Sequence, residues 1–488
     1  MPREIWNEGH EHLYDKLTAE RKKQLPPFSE NLLNSVYRDN GEVEVYGKIL
    51  PAEEEGRIEQ ISILSTEMIN YDKAFFSGAK ELPDGLDRKI YHPYFCELLI
   101  DEKISKEQQE KLKLFVGRWC KLKLAFGKAI DESAIKGNLV FCASPIERKW
   151  CSFIFSYVLK YSNEVPGVID KEIKECENFE EYIDRINKRR RTFHQYNILP
   201  CIKNIEKISG KVYNVGEGNF ISLKVNNTTE LLFDVGESKF PRDKLGENKY
   251  IRENEDEIIT LKPQYIIISH WDIDHILGVY KFNDSGDYSF YRDSRWIAPD
   301  ITVLGTEVSL SAKRLCAYLF HENSLTLINN PNGCFCTIGD GESSFIKLWQ
   351  GDCEKNPGSK ANNIGLIIEV KIHTKENNKE KFQKLLFSGD CSYWHMNNTI
   401  FNEKYDFLVT AHHGAESAVR KDFAFKAPNA AKGGRAVICV GCNNDGHPHI
   451  EHLTELKYRG FDVYYISACR YIDFSVSRDE KLKISKYK

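Results

Sequence analysis

Four side chains able to hold a metal stand within six residues in His270-Trp271-Asp272-Ile273-Asp274-His275, directly after the apolar run Tyr265-Ile266-Ile267-Ile268. Such a run reads as a buried strand. Side chains alternate along an extended chain, so His270 and Asp272 point the same way as the strand runs out, and a turn then lets Asp274 and His275 face a nearby point. Two adjacent ligand sets suggest two metal ions. Imidazole suits zinc and its first-row neighbours, whereas carboxylate shifts the preference toward manganese. The competing reading is a surface loop that happens to be rich in Asp and His.

Three further patches have the same form, a short strand running into ligand-type residues. Lys384 to Phe387 ends in Ser388-Gly389-Asp390, which puts a carboxylate beside a permissive glycine, and Asp390 could bridge two ions. Tyr405 to Ala411 runs into His412-His413-Gly414, and Ala436 to Gly441 leads through Cys442-Asn443-Asn444-Asp445 to Gly446-His447-Pro448. Each alone is as compatible with an ordinary turn; four together argue for one converging edge. Metal-activated hydroxide, attacking a phosphoryl or acyl centre, is the chemistry of such an edge, with ions about 3.5–4 Å apart.

The ordered set SHWDIDHILG, FSGD, TAHHG and VGCNNDGHP resembles the metallo-β-lactamase fold, and within it the branch of the hydrolase domain of the competence protein ComEC. Val212 to Asn219, Leu232 to Gly236, Lys347 to Trp349 and Asn362 to Ile367 resemble further strands and turns of that branch, so the likeness runs from about Lys211 to Gly460. It implies an α/β fold, an αββα sandwich with the metals at one sheet edge. It also implies a dinuclear ligand set: His270 and Asp272 on one ion, Asp274 and His275 on the other, Asp390 bridging. His412 or His413 and His447 would complete the shells or protonate the leaving oxygen. His412, the first imidazole after its strand, is preferred as ligand, which leaves Asp274, His413 and His447 for catalysis. Asn219, Asn363 and Asn443 are candidates for substrate binding, with a turn-forming role equally open.

The departures from the family pattern are specific. Asp272 stands where the fold usually has a second His, which makes one ligand harder and negatively charged. Asn219 replaces an Asp, Ala415 a Ser, and Asp445 an aromatic residue. These changes bear on specificity more than on metal binding. Between the first cluster and Asp390 only His321 and His373 occur, neither in a Gly-His context, and neither is assigned.

Elements must position these residues. Val212 to Val225 and Glu230 to Asp234 read as an early hairpin around Asn226-Asn227, Ser309 to Glu322 as an amphipathic helix, Ile450 to Arg459 as a helix stopped by Gly460, and Phe461 to Ser467 as a strand. The charged stretch after Arg478 reads as a frayed tail. With 488 residues the chain exceeds one domain, so residues 206–488 are expected to form the hydrolase domain and residues 1–205 a separate α+β or β-rich domain. In the latter, Glu42 to Leu50, Phe95 to Ile100 and Trp119 to Phe126 alternate like strands, and Ser105 caps a helix reaching to Phe115. Its role is open between recognition or partner binding and simple packing. Glu180 to Arg191, ending in Lys188-Arg189-Arg190-Arg191, reads as a charged linker helix whose cations could meet phosphates.

Net charge is −4 and the isoelectric point about 6.4, so no global electrostatic footprint of a nucleic-acid binder exists. The 14 cysteines are scattered, and the sequence opens without a signal peptide, which fits a reducing cytoplasm. No apolar run approaches the roughly 20 residues of a membrane helix. The expectation is a cytoplasmic, dinuclear zinc or manganese hydrolase without a membrane partner, a phosphodiesterase or nuclease acting on DNA through a metal-bridging hydroxide. The alternatives are a small-molecule or cyclic-nucleotide phosphodiesterase, or a hydrolase effector subunit of a larger, for example antiviral, assembly that binds a protein partner through residues 1–205.

Overall fold

The computed structural model of the protein describes residues 42–51, 58–77, 94–100, 104–126, 134–142, 153–161, 171–189, 199, 202–216, 218–237, 254, 257–258, 260–281, 293–304, 308–352, 360–376, 379–441 and 446–487. The chain divides into two compact units, one of Met1–Arg190, Tyr280–Tyr288 and Gly305–His321, the other of Arg191–Val279, Ser289–Leu304 and Glu322–Lys488.

Among the described residues the first unit is built on six strands, β1 (Glu42–Ile49), β2 (Gln60–Leu64), β3 (Phe95–Ile100), β4 (Trp119–Phe126), β5 (Ile135–Cys142) and β6 (Phe153–Tyr161). They close into a barrel in the order β1-β2-β3-β5-β6-β4, with β4 returning antiparallel to β1. The three strands read from alternation are all here. Ser105 caps the helix Lys106–Lys113 in a reciprocal box with Gln108, which satisfies two of the amides a helix start leaves open.

The helix Leu310–His321 belongs to this unit and is buried on every side from Leu310 to Phe320, not amphipathic as its sequence suggests. Its cations explain how. Arg314 Nε donates to Asp72 Oδ2 at 2.8 Å, and its guanidinium sits 4.1 Å above the Tyr94 ring, whose hydroxyl donates to the same carboxylate. Lys313 meets Glu180 at 2.7 Å and Asp184 at 3.2 Å, and Lys48 meets Glu180 at 2.5 Å. Buried charge is tolerated only when paired in this way. At the helix start, Ser311 Oγ donates to Glu97 Oε1 at 2.6 Å; Glu97 is wholly buried, and burial pushes its carboxyl up to about 7.

The same pairs revise the reading of the charged helix, which spans Lys171–Arg189. Cys176, Phe179, Ile183 and Asn187 are buried and Glu180 is engaged, so it packs into the first unit, whereas a linker would be solvated. Arg190 and Arg191 lie outside the described residues.

The second unit carries two sheets. One contains β7 (Lys207–Tyr213), β8 (Phe220–Val225), β9 (Thr229–Val235), β10 (Tyr265–Ile267), β11 (Arg295–Pro299) and β12 (Leu325–Ile328). The other contains β13 (Cys334–Gly339), β14 (Phe345–Gln350), β15 (Leu366–Glu376), β16 (Lys379–Phe387) and β17 (Lys404–Val409). After a two-strand hairpin, β18 (Arg420–Lys421) and β19 (Ala424–Phe425), the chain adds β20 (Asn429–Ile438) and β21 (Asp462–Tyr465) to the second sheet, then β22 (Tyr471–Ser477) and β23 (Glu480–Tyr487) to the first. The orders are β12-β11-β10-β9-β8-β7-β22-β23 and β13-β14-β15-β16-β17-β20-β21.

Period-two alternation sorts the side chains into layers. Ile368, Val370, Leu385, Phe387, Phe407, Val409 and Val437 point into one core with Ile221, Leu223, Phe233, Ile267, Ile472 and Phe474 of the first sheet. Their neighbours Ile367, Leu386, Leu408, Ala436 and Ile438 point the other way, onto Leu456 of the helix Ile450–Tyr458, Ile400 and Val419. The result is an αββα sandwich. Between the sheets the Phe474 ring lies 5.0 Å from Phe407 and 5.7 Å from Phe387, contacts worth about 0.5–1.5 kcal/mol each beyond area burial.

Two element readings are corrected. Val212 to Val225 is not one arm of a hairpin but β7 and β8, separated at residues 214–219; the β8–β9 hairpin does turn at Asn226 and Asn227, both at positive φ. The stretch after Arg478 is not a frayed tail: β23 pairs antiparallel with β22, and its alternating Leu482 and Ile484 pack on the core.

Candidate metal centre

The four ligand-bearing segments leave the carboxyl ends of strands that pair in parallel, β9 with β10 and β16 with β17 and β20. Parallel pairing puts the ends of β16, β17 and β20 at one edge of their sheet, and the approach of Asp390 to His270 and His275 sets the end of β10, from the other sheet, against it. After β10 the chain runs through Ser269, His270, Trp271 and Asp272 into the helix Ile273–Lys281, and Trp271 Nε1 pins this turn by donating to Pro299 O at 2.8 Å. Asp390 follows β16 by three residues, His412 and His413 follow β17, and Cys439 follows β20. Gly389 has φ of +53°, and a Cβ there would fall 2.6 Å from Ser269 Cβ, so only glycine allows the two loops to approach.

Asp390 sits among four imidazoles. Its oxygens lie 3.1 Å from His275 Nε2, 3.5 Å from His413 Nε2, 3.7 Å from His412 Nε2 and 3.8 Å from His270 Nε2. Asp274 Oδ2 is 3.1 Å from His413 Nε2 and 3.6 Å from His275 Nε2, and Asp272 Oδ2 is 3.1 Å from His270 Nε2. All but His412 are buried. Ligand atoms of Asp274, His275, Asp390 and His413 all lie within 4.8 Å of one another, so this set could hold a metal ion. His413, expected in a catalytic role, is therefore inside that set; His412, expected as ligand, stands beside it.

The hydrogen bonds fix which nitrogen of each ring is available. Asp234 Oδ2 accepts from His275 Nδ1 at 2.8 Å, and the carbonyl of Cys439 accepts from His413 Nδ1 at 2.7 Å. Ser269 Oγ donates to Asp234 Oδ2 at 2.8 Å and so is left to accept from His270 Nδ1 at 3.0 Å. With the proton on Nδ1 in all three rings, each Nε2 presents a lone pair, and each faces a carboxylate oxygen. Lone pair against anion is repulsive unless a metal cation or a second ring proton lies between, and His413 Nε2 lies at hydrogen-bonding distance, 3.1 Å, from Asp274 Oδ2. Consistently, the buried Nε2 atoms of His270 and His275 and Oδ1 of Asp390 have no hydrogen-bond partner among the described residues. The donor set, imidazole with carboxylate, fits a divalent zinc or manganese ion.

Without an ion, the carboxylates favour protonation of His275 and His413, so a bound cation would take the place of those protons. Burial opposes charge on Asp390, yet His275, His413, His412 and His270 outweigh it and hold the carboxyl well below its usual range. Burial likewise opposes protonation of His275, but Asp390, Asp234 and Asp274 raise its pKa well above that of ordinary imidazole, and Asp390 and Asp274 raise His413. His447 is pushed the other way, to about 2, by burial and by His412, His413 and His449. Its ring centroid lies 5.8 Å from that of His412.

The turn that delivers His412 and His413 is strained: the two have φ of 47° and 49°, and Gly414 follows at 86°. A side chain with a Cβ costs about 1–2 kcal/mol in this region. A buried chain of hydrogen bonds ties both ends of the turn. Ala411 N donates to Tyr393 Oη at 3.2 Å, Tyr393 Oη lies 3.5 Å from His452 Nε2, and His452 Nδ1 donates to Ala415 O at 2.8 Å. The carbonyl end dictates the Nδ1–H form of His452, so its Nε2 accepts from Tyr393.

Of the remaining expectations, Asn219 is buried at the end of the β7–β8 turn, its carbonyl accepting from Gly236 N at 2.8 Å, and its side-chain amide has no partner among the described residues. Asn363 closes the turn Lys360–Asn363, where Cys391 Sγ donates to its carbonyl. Asn443 lies outside the described residues. His321 lies against the Phe75 ring in the first unit, and His373 on β15 sits opposite Phe382 on β16, so neither is brought to the cluster. Sequence reasoning passed over Asp234, Ser269, Tyr393 and His452. Asp234 carried a signal, an acid inside the apolar run Leu232 to Val235, where an unpaired charge does not survive.

No protein-family model matches the chain, and no curated protein matches it. Among solved structures, a diphosphatase from the PhnP family is similar at 12% identity over 42% of this chain and 73% of its own, with a TM-score of 0.21. A long form RNase Z from yeast is similar at 12% identity over 56% of this chain and 40% of its own, with a TM-score of 0.23. Likenesses this weak leave the functional reading to the chain's own residues. No helix among the described residues is long and apolar enough to cross a membrane.

Proposed function

We propose that the second unit is a dinuclear metal-dependent phosphodiesterase acting on nucleic acid, with DNA the leading substrate. One observation carries the reading: three imidazole Nε2 atoms, each with its Nδ1 bonded away, converge on Asp274 and Asp390. His270 and Asp272 would hold one ion and Asp274, His275 and His413 the other, with Asp390 within 3.8 Å of His270, His275 and His413. Ions bound there would supply Lewis-acid polarisation of a phosphoryl oxygen and a solvent nucleophile of lowered pKa. Asp234 and Ser269 keep His275 and His270 in the ligating tautomer. His447, kept neutral by burial, presents a ring N–H as hydrogen-bond donor to the leaving oxygen. DNA as the substrate follows the resemblance of the motif set to the ComEC branch and rests on that alone.

The test is incubation of purified protein, and of an Asp274→Ala variant, with single- and double-stranded DNA, RNA and cyclic dinucleotides, zinc or manganese being added in turn. Metal-dependent cleavage of a polynucleotide by the wild type alone is the expected result. Cleavage of cyclic dinucleotides only would move the reading to a small-molecule phosphodiesterase, and activity surviving in Asp274→Ala would remove the mechanism.

A further inference from the structure

Downstream of the strained His412–His413 turn, the short helix Glu416–Val419 leads into the hairpin β18–β19. Arg420 pairs with Phe425 and Lys421 with Ala424, which leaves Asp422 and Phe423 as a two-residue turn, and Asp422 takes the positive φ, 54°, that such turns demand. Phe423 is 97% exposed and Phe425 41%. A phenyl ring left in water contributes almost nothing to folding, and Gly or Asn would suit the turn better. Isolated exposed apolar residues are ordinary; this one stands in the run Arg420-Lys421-Asp422-Phe423-Ala424-Phe425-Lys426, three cations and one acid interleaved with two exposed rings.

The root of the hairpin is fixed to the loop that leaves Asp390. Lys426 N donates to Val419 O at 2.8 Å, and Trp394 Nε1 donates to the same carbonyl at 2.8 Å. Tyr393 N donates to Ala418 O at 3.0 Å, and Ser392 Oγ to that carbonyl at 3.1 Å. The Lys426 ammonium is held 3.9 Å from the Phe401 ring centroid and 5.4 Å from that of Trp394. An exposed ring and its cations are thus carried on the two segments that deliver Asp390 and His413.

We infer that this hairpin grips single-stranded nucleic acid beside the metal centre, Phe423 stacking on an unpaired base while Lys421 and Lys426 meet backbone phosphates. The inference takes the substrate class from the phosphodiesterase reading and narrows it. Stacking of this kind needs a base whose face is open, which a duplex denies, and it tolerates any sequence.

Binding of a fluorescein-labelled 12-nucleotide single strand to the full chain, followed by anisotropy in chelator so that nothing is cut, decides it. Phe423→Ala is expected to weaken binding by about 5–100-fold with the salt dependence unchanged, and Phe423→Trp to restore it. Lys421→Gln is expected to reduce the slope of log affinity against log salt by about 0.7. Unaltered affinity in Phe423→Ala, or a duplex of the same sequence bound as tightly as the single strand, would overturn the proposal. So would loss of binding to phosphatidylserine vesicles with oligonucleotide affinity intact, which would make the hairpin a membrane contact. The phosphodiesterase reading is tested apart, by wild-type hydrolysis of bis(p-nitrophenyl) phosphate with manganese. Failure there overturns that reading, and the oligonucleotide comparison still decides this one.

Discussion

Asp234 and His275 share a 2.8 Å hydrogen bond between two side chains that have no solvent exposure at all. Asp234 reaches this position with a positive φ of 61°, and its other oxygen accepts from Ser269 N at 2.6 Å. One carboxylate therefore sets the tautomer of a ligand and the path of the loop that carries it. Asp234→Asn, of the same size, removes the charge that holds the Nδ1 proton. Metal affinity, read by competition with a chromophoric chelator, is expected to fall about 10–100-fold. Unchanged affinity would reduce Asp234 to a loop anchor.

Tyr393→Phe keeps the ring and deletes the link between Ala411 N and His452 Nε2. The amide loses its acceptor and the His412–His413 turn loses one of its two ties. Weaker metal binding, by about 10-fold or more, is expected together with a far-UV spectrum like that of the wild type. A drop in melting temperature of the metal-free protein with chelator-measured affinity intact would mean that the pair supports the fold alone.

Asp272, a hard ligand among imidazoles, favours manganese relative to an all-histidine site. Turnover with manganese is expected to equal or exceed that with zinc when metal-stripped protein is reloaded with each. Clear inhibition by manganese would count against Asp272 as a ligand.

Glu97 gives the first unit a pH dependence of known sign. Burial raises its carboxyl from the ordinary 4.5 to about 7, against hydrogen bonds from Ser311 and Ser62. Between those values the unfolded chain has lost the proton that the folded one keeps, so stability is complete below about pH 4.5 and declines as pH rises to 7. The loss amounts to about 3 kcal/mol. Glu97→Gln stays neutral throughout, and urea melts at pH 5 and pH 8 should differ by that much less in the variant than in the wild type. Identical pH dependence in the two proteins would refute it.

The sandwich was legible because its signals are local and periodic. Strands such as β16 and β17 end in short apolar runs stopped by Gly-Asp or His-His, and their alternation alone says which side chains meet the core. The cluster of His270, Asp274, His275 and Asp390 was legible for the same reason, since each stands at a strand end. Choosing between His412 and His413 was not, because two consecutive left-handed residues redirect both rings and no spacing rule anticipates that. Tyr393 and His452 were equally hidden: a tyrosine three residues past a ligand and a histidine within a helix look ordinary until a turn 18 residues from the one and 37 from the other is found between them. β23 was misread because Lys483 and Lys486 gave it the composition of a tail, although Leu482 and Ile484 keep the alternation of an edge strand. The helix Leu310–His321 was misread because the acids that neutralise Lys313 and Arg314 come from residues more than 100 positions upstream.

That helix also bears on how the protein can be taken apart. Its cations have their counter-ions on Asp72, Glu180 and Asp184, yet it is encoded between strands of the sandwich. A gene cut after Arg190 would yield two polypeptides, neither containing a whole unit: the shorter with a vacant slot lined by carboxylates, the longer with Lys313 and Arg314 stranded on an unaccompanied hydrophobic rod. Co-expressing the halves, or splicing the helix back onto the barrel by circular permutation, is the route to studying either unit alone.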